Sequence, residues 1–254
     1  MTRRWESFFW PLFAIAVLLS LWYGGVTWSH TRVFPTPFDV ARGLRELVRK
    51  GVLWGYIGDS LLRVGTGYLF AVAFGIPTGL VLGWYPSSAR AMNPLIQILR
   101  PISPLAWIPL SIVWFGIGNM AAIFLIFLAS FFPVVVATIN GVRNVPPMFR
   151  HAGQNFGLSP EALLRRVIFP AALPQVLVGL RIALGIAWLV VVAAEMIAVD
   201  SGLGYLIIDS RNAGKRYDLV IAGMLLIGVI GLGLDIGIRR MEKWKSVRWG
   251  FSNE

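Results

Sequence analysis

Several ionisable side chains, among them Arg100, Arg181 and Glu195, stand inside long apolar runs. A charge in hydrocarbon is costly, so such groups normally face protein or a water-filled path. Two arginines at matched depth would make a positive belt suited to a small anion. A carboxylate near the far end would gate that path or bind a cationic group. Each residue also has a plainer alternative. Arginine can snorkel to headgroups or bind carbonyls freed by nearby prolines, and Glu195 can be one half of a structural pair. Ser103 and Trp107 are further path candidates. They sit in "RPISPLAWIP", where Pro101, Pro104 and Pro109 must bend or interrupt a helix. Broken helices occur where backbone lines a transport cavity; a merely bent packing helix would read the same way.

Other chemistries are excluded by residue supply. The chain has no cysteine, hence no disulfide, thiolate metal site or thiol nucleophile. Its two histidines, His30 and His151, lie outside the apolar runs. That removes the serine–histidine pairing an intramembrane protease needs. The carboxylates are scattered, so no metal centre is expected. No phosphate-binding loop is present either: in "NAGKRY" the Gly214-Lys215 pair lacks its earlier glycine, with Asp209 in that place. The chain is therefore read as no enzyme, with no cofactor of its own.

The elements that must position these residues follow from composition. Of 254 residues, 57% are hydrophobic and 14% charged. With repeated apolar runs near the roughly 20 residues a span needs, this predicts an all-α, polytopic transmembrane helical bundle. Six spans are predicted: Phe8 to Val26, Val64 to Trp84, Met92 to Ile117, Met120 to Ile139, Leu173 to Val199, and Leu219 to Ile238. The net charge of +11 fits basic loops beside anionic lipid rather than nucleic acid. An even count puts both termini on one side. That side's segments hold twelve basic residues against eight on the other, with Arg63 at the edge of span two left aside, so the positive-inside rule makes both termini cytoplasmic. The basic start and apolar core of the first run look like a signal peptide, but the long core and missing cleavage site predict an uncleaved anchor. Arg100 and Arg181 then each lie about 8 residues, or roughly 12 Å, into their spans. Glu195 is about 21 Å along the same helix from Arg181, too far to pair.

Local patterns complete the reading. The stretch from Phe34 predicts a short external helix before span two, and residues 200–218 a mixed-charge external connection, either a solvated loop or a partner contact. Asp59 with Arg63, and Asp235 with Arg239, are four residues apart and predicted to pair. Gly75, Gly79 and Gly83, with Gly233 and Gly237, are spaced for close helix packing. The largest cytoplasmic loop, residues 141–171, carries strong punctuation. Asn144 is expected to cap a helix entered through Pro146 and Pro147, and Gly157 to end it. Ser159, Pro160 and Glu161 start a second helix through Arg165 and Arg166, and Pro170 and Pro174 bracket the start of span five. Two short helices with a hard turn can dock another protein or pack beneath their own bundle.

This loop resembles the cytoplasmic loop of ABC-importer permease subunits. That family carries Glu-Ala-Ala, a glycine three residues later, and Ile-x-Leu-Pro after nine more. Here His151, Ala152 and Gly153 stand in the Glu-Ala-Ala positions, Gly157 in the glycine position, and Val167, Phe169 and Pro170 in the last set. His151 departs from the family's glutamate. "LRPISPLAWIPLSIVWFGIG" and "GLRIALGIAWLVVVAAEMIA" are similar to the branch that imports alkanesulfonates, taurine, nitrate or bicarbonate, and the likeness runs from Phe34 to Arg240. The resemblance implies the type I ABC-importer permease fold, in one transmembrane domain over residues 1–254. It implies a bacterial inner membrane and a translocation path for a small anion. It also implies a homodimer, a separate ATP-binding subunit that holds ATP and Mg, and an external substrate-binding protein. The loop would be the coupling helix, with His151, Ala152, Gly153, Gly157, Ser159, Pro160, Glu161, Arg165, Arg166 and Pro170 facing the ATP-binding subunit. An autonomous channel or secondary transporter is the alternative.

Overall fold

The computed structural model describes residues 2–29 and 34–242. His30 and, among the residues of the charge asymmetry, Arg32, Lys243, Lys245 and Arg248 lie outside that range. Every regular element among the described residues is a helix. They are α1 (Thr2–Ser29), α2 (Pro37–Arg49), α3 (Val52–Trp84), α4 (Pro86–Leu99), α5 (Ile108–Phe115), α6 (Asn119–Arg143), α7 (Pro147–Asn155), α8 (Pro160–Leu163), α9 (Phe169–Ile197), α10 (Leu203–Gly214) and α11 (Tyr217–Glu242). Five helices, α1, α3, α6, α11 and the continuous α8–α9 unit, are long and apolar enough to cross a membrane. The α4–α5 pair is a sixth crossing if counted as one span; its two halves meet at 82°. The bend lies where the three prolines predict it, with a 3₁₀ turn over Pro104–Trp107 between the halves.

The centre of the bundle is α3, α6 and α9. Lipid tails are as apolar as leucine, so helices associate in membranes through small residues that let backbones approach. The glycine stripe of α3 does this against α6. A methyl group added at Gly67 would meet Ile126 at 2.8 Å, at Gly75 Val134 at 2.8 Å, and at Gly83 Val142 at 2.8 Å. Alanines continue the pattern: Ala71, Ala122, Ala183, Ala187 and Ala194 are all fully buried. On α11, Gly233 and Gly237 meet nothing within 4 Å, so the packing predicted for them is not used within this chain. None of the described α1 side chains is buried.

Four expectations change. Residues 200–218 are not a plain connection: they hold α10, whose Leu203, Leu206 and Ile207 are buried. Span two is the much longer α3, which begins after Gly51 at φ 72°. Asn144 does not cap α7; it closes α6, and its side-chain amide donates to Gln175 Oε1 at 3.1 Å. The second loop helix is not separate either. From α8 the chain passes through one π turn, Leu164–Ile168, directly into α9. The wider π turn explains why Pro170 does not break the chain there: it loosens the turn in which the ring would strike the carbonyl four residues back.

Candidate functional site

The loop between α6 and α9 is an ordered elbow. Helix α7 starts with Pro147 and stops at Gly157, which takes φ 72°. The Leu158 N–H donates to the Gly153 carbonyl at 3.1 Å and the Gly157 N–H to that of Gln154 at 2.9 Å. This paired pattern satisfies the carbonyls at a helix end and requires a left-handed residue at its centre. Two residues on, Ser159 Oγ accepts from the Ala162 N–H at 3.3 Å, the predicted cap of α8. Gly153 is buried, and a side chain there would run into Leu163. Val142, Val145, Leu163, Ile168, Ala172 and Val176 form a core above the turn. The Arg150 guanidinium lies 5.0 Å over the Trp84 ring, tying α7 to the end of α3.

The elbow's far side is open. His151, Ala152, Gly157, Ser159, Pro160, Glu161, Arg165, Arg166 and Pro170 are all exposed, whereas Gly153 is inside. Ser159, Glu161, Ala162, Arg165 and Arg166 line an open hollow of about 470 Å³. On the same elbow Phe156 is 87% exposed and Met148 70%. Phe156 was missed from sequence. Its signal was a large apolar residue directly before a stop glycine in a polar loop.

The path candidates separate. Arg100 ends α4 and Ser103 precedes the 3₁₀ turn; both are exposed at the bend. Trp107 is half-buried, packs on the central core, and has its ring 6.5 Å from that of Trp114. Arg181 has a charged partner on another helix, which neither a path role nor the plainer alternatives named for it include. It donates to Asp235 of α11 at 2.6 Å and 3.3 Å, and Asp235 also accepts from Arg239 at 2.9 Å, as predicted.

Glu195 is wholly buried and pairs with Arg63 of α3 at 2.7 Å. The predicted Asp59–Arg63 pair therefore does not form. An exposed helix pair is worth only about 0.2–0.5 kcal/mol, while a carboxylate with no exposed surface needs a counter-charge and donors on every side. It has them. Ser60 Oγ donates to Glu195 at 2.8 Å and the Gly204 N–H at 2.9 Å. Arg63 also donates to Asn119 Oδ1 and to the Ser201 carbonyl, each at 2.8 Å, and to Ser201 Oγ. The Leu203 N–H donates to Ser60 Oγ at 2.9 Å. Gly202, at φ 104°, lies so close that any side chain would strike the Glu195 carboxylate. One network thus joins α3, α6, α9 and α10. Because α3 ends at the elbow, the network lies at the opposite end of the bundle. Ser60, Asn119 and Ser201 are not legible in the sequence, and Arg63 is legible there only as a partner for Asp59. The one available signal was an arginine within an apolar helix.

Comparison with known proteins fits this geometry. Residues 71–247 match the family described as binding-protein-dependent transport system inner membrane component. A putative ABC transporter permease of Methanocaldococcus jannaschii is 44% identical over 207 residues, 81% of this chain and 75% of that protein. The taurine transport system permease of Escherichia coli K12 is 37% identical over 238 residues, 90% of this chain and 86% of that one. Among solved structures, a chain from the inward-facing methionine ABC transporter MetNI aligns with a TM-score of 0.67 at 20% identity, covering 76% of this chain and 95% of that chain.

Proposed function

This chain belongs to the inner-membrane components of binding-protein-dependent transport systems, and from that premise we propose how it moves its solute. It is the permease subunit of an ABC importer. The α7–α8 elbow is the point at which a separate ATP-binding subunit, carrying ATP and Mg, drives it. Two copies form the path, a substrate-binding protein delivers solute to the face opposite the elbow, and both termini lie in the cytoplasm. Closure of the nucleotide-binding subunits moves the elbow and, through the continuous α8–α9 unit, the bundle; the path then alternates between its two openings. A ligand shifts such an equilibrium only through unequal affinity for the two states. The permease site is therefore weak, and specificity rests mainly with the binding protein. Likeness to a taurine permease supports a small sulfonate-type anion as cargo. Arg100 at the exposed bend, with Ser103 and Trp107, is the first place to look for its contacts.

The observation that carries this reading is a rigid elbow whose outward face is not covered by its own chain. Phe156 at 87% exposure is an anchor without a pocket, and Arg165 and Arg166 line the open hollow of the same elbow. Buried aromatic anchors at interfaces typically lose about 2 kcal/mol or more on truncation to alanine, roughly thirtyfold in affinity. Co-purification of the ATP-binding subunit should fall accordingly for Phe156→Ala, and further for Arg165→Glu with Arg166→Glu, while the bundle stays folded. Unchanged retention and unchanged substrate-stimulated ATPase activity in both variants would refute the assignment, as would solute flux at full rate through the purified chain alone.

A further inference from the structure

Helix α2 carries a surface that transport coupling leaves unexplained. It lies between the end of α1 and the start of α3, at the end of the bundle opposite the elbow. Its fold is well specified: Thr36 and Asp39 form a reciprocal cap, with the Thr36 N–H donating to Asp39 Oδ2 at 3.0 Å and the Asp39 N–H to Thr36 Oγ1 at 3.3 Å. Val40, Gly43 and Leu47 are buried on one side, against α11 and α10.

The other side is basic with an aromatic end. Phe38, Arg42, Arg45 and Arg49 recur at spacings of four, three and four, so they share one helix face. All four are exposed, Phe38 by 68%. Local carboxylates do not neutralise this face. Glu46 turns to Lys50 at 2.6 Å and to Arg216 at 2.7 Å. Asp39 reaches Arg42 only at 3.6 Å, and Arg45 and Arg49 make no ion pair among the described residues.

The depth of this face is fixed by α1. Phe38 packs edge-on to Tyr23 of α1, ring centroids 6.0 Å apart, and Phe34 packs on Trp22 at 6.4 Å. The Trp22 indole N–H donates to the Pro35 carbonyl at 3.2 Å. Tyr23 lies roughly 9 Å from the end of α1, one turn and a half or so along its axis. Trp28 and Trp54, 88% and 68% exposed, mark the same end of the bundle. A ring of exposed aromatics at one end of apolar helices marks the boundary between hydrocarbon and headgroups. The arginines continue from Phe38 along that boundary, where a guanidinium binds phosphate oxygens through two parallel N–H donors.

We propose that the Phe38–Arg42–Arg45–Arg49 face of α2 binds the phosphates of anionic phospholipid headgroups, in the leaflet opposite the elbow. The full chain, purified in its assembled transporter, is placed in phosphatidylcholine nanodiscs doped with phosphatidylglycerol, and the lipids retained on gentle extraction are counted by native mass spectrometry. The wild type should enrich phosphatidylglycerol, and the enrichment should fall as ionic strength rises. Exchange of Arg42, Arg45 and Arg49 for glutamine should weaken it by roughly fivefold per charge removed. The matching exchange for lysine should keep most of it, which separates lost charge from a disturbed helix. No preference in the wild type, or equal retention in wild type and glutamine variant, overturns the proposal. So does a glutamine variant that keeps its lipid but loses capture of an acidic soluble binding protein, since the face would then belong to a protein partner.

Discussion

The buried network around Glu195 and the elbow around Gly157 stand at opposite ends of α3 and are built on opposite principles. At one end two full charges are removed from solvent, Arg63 at 2% and Glu195 at 0% exposure, and every carboxylate oxygen is met by a donor from within the chain. At the other end the inside is apolar and the charges point outward, with Arg165 and Arg166 exposed. The first arrangement ties four helices and leaves nothing for a partner. The second is stiff within and unsatisfied without. A polar cluster in a membrane protein is thus not a transport site because it is polar. Whether its groups are already satisfied decides the matter.

The sharpest way to break this contrast is Glu195→Ala. It leaves the Arg63 guanidinium buried without a counter-charge, and breaking such a pair from one side costs roughly 3–5 kcal/mol. The purified transporter should lose on the order of 10 °C in its unfolding midpoint. Replacing both partners by apolar residues, Arg63→Met with Glu195→Leu, should recover most of that loss. A single variant whose midpoint stays within about 2 °C of wild type would show that the network does not clamp the four helices together. So would a stable variant with altered solute selectivity, which would return Glu195 to the path.

Gly153→Val tests the other end, with a smaller expected effect. A branched side chain there must displace Leu163, and overpacking of this kind costs typically 1–3 kcal/mol. Because the site lies at the tip of the elbow, the loss should appear as weakened ATPase coupling with only a few degrees of thermal destabilisation. If the variant instead unfolds the bundle as fully as Glu195→Ala does, the two regions are not independent.

What the sequence made legible follows the range of its signals. Hydropathy over about 20 residues found the long helices, and three prolines in "RPISPLAWIP" marked the break between α4 and α5. Gly157 and Ser159 were readable because caps are local: the partner backbone is three to five residues away. Failures began where the partner is distant in sequence. Arg63 was given to Asp59 because a rule of four residues sees nothing further, while Glu195 is 132 residues away. Arg181 reads as a belt residue, or as one that reaches headgroups or loose carbonyls, because its carboxylate, Asp235, lies on α11, 54 residues further along the chain. Helix α10, with Asp209, Ser210, Arg211 and Asn212, is too polar and too short to register as a span. It is held by packing under Leu203 and Leu206 and by the Glu195 network, neither of which leaves a periodic trace.

The smallest effect concerns a third kind of ion pair, neither buried nor unpaired. Glu46 of α2 accepts from Arg216 at 2.7 Å and pairs with Lys50 at 2.6 Å, clamping α2 to the start of α11. The hydrogen bond from Arg216, then that from Lys50, holds its carboxyl down at about 2, against an ordinary value of 4.5. A folded-state value below the unfolded one means the carboxylate is favoured by folding. Its contribution is therefore complete above about pH 4.5 and is lost progressively as pH falls toward 2. Exposed pairs of this sort are worth little at neutral pH and are screened by salt. Glu46→Gln should accordingly leave the unfolding midpoint at pH 7 nearly unchanged but flatten its decline between pH 4.5 and 2 relative to wild type. If the two profiles run parallel through that window, Glu46 is not clamped as the geometry describes, and α2 is held to α11 by the Val40, Gly43 and Leu47 side alone.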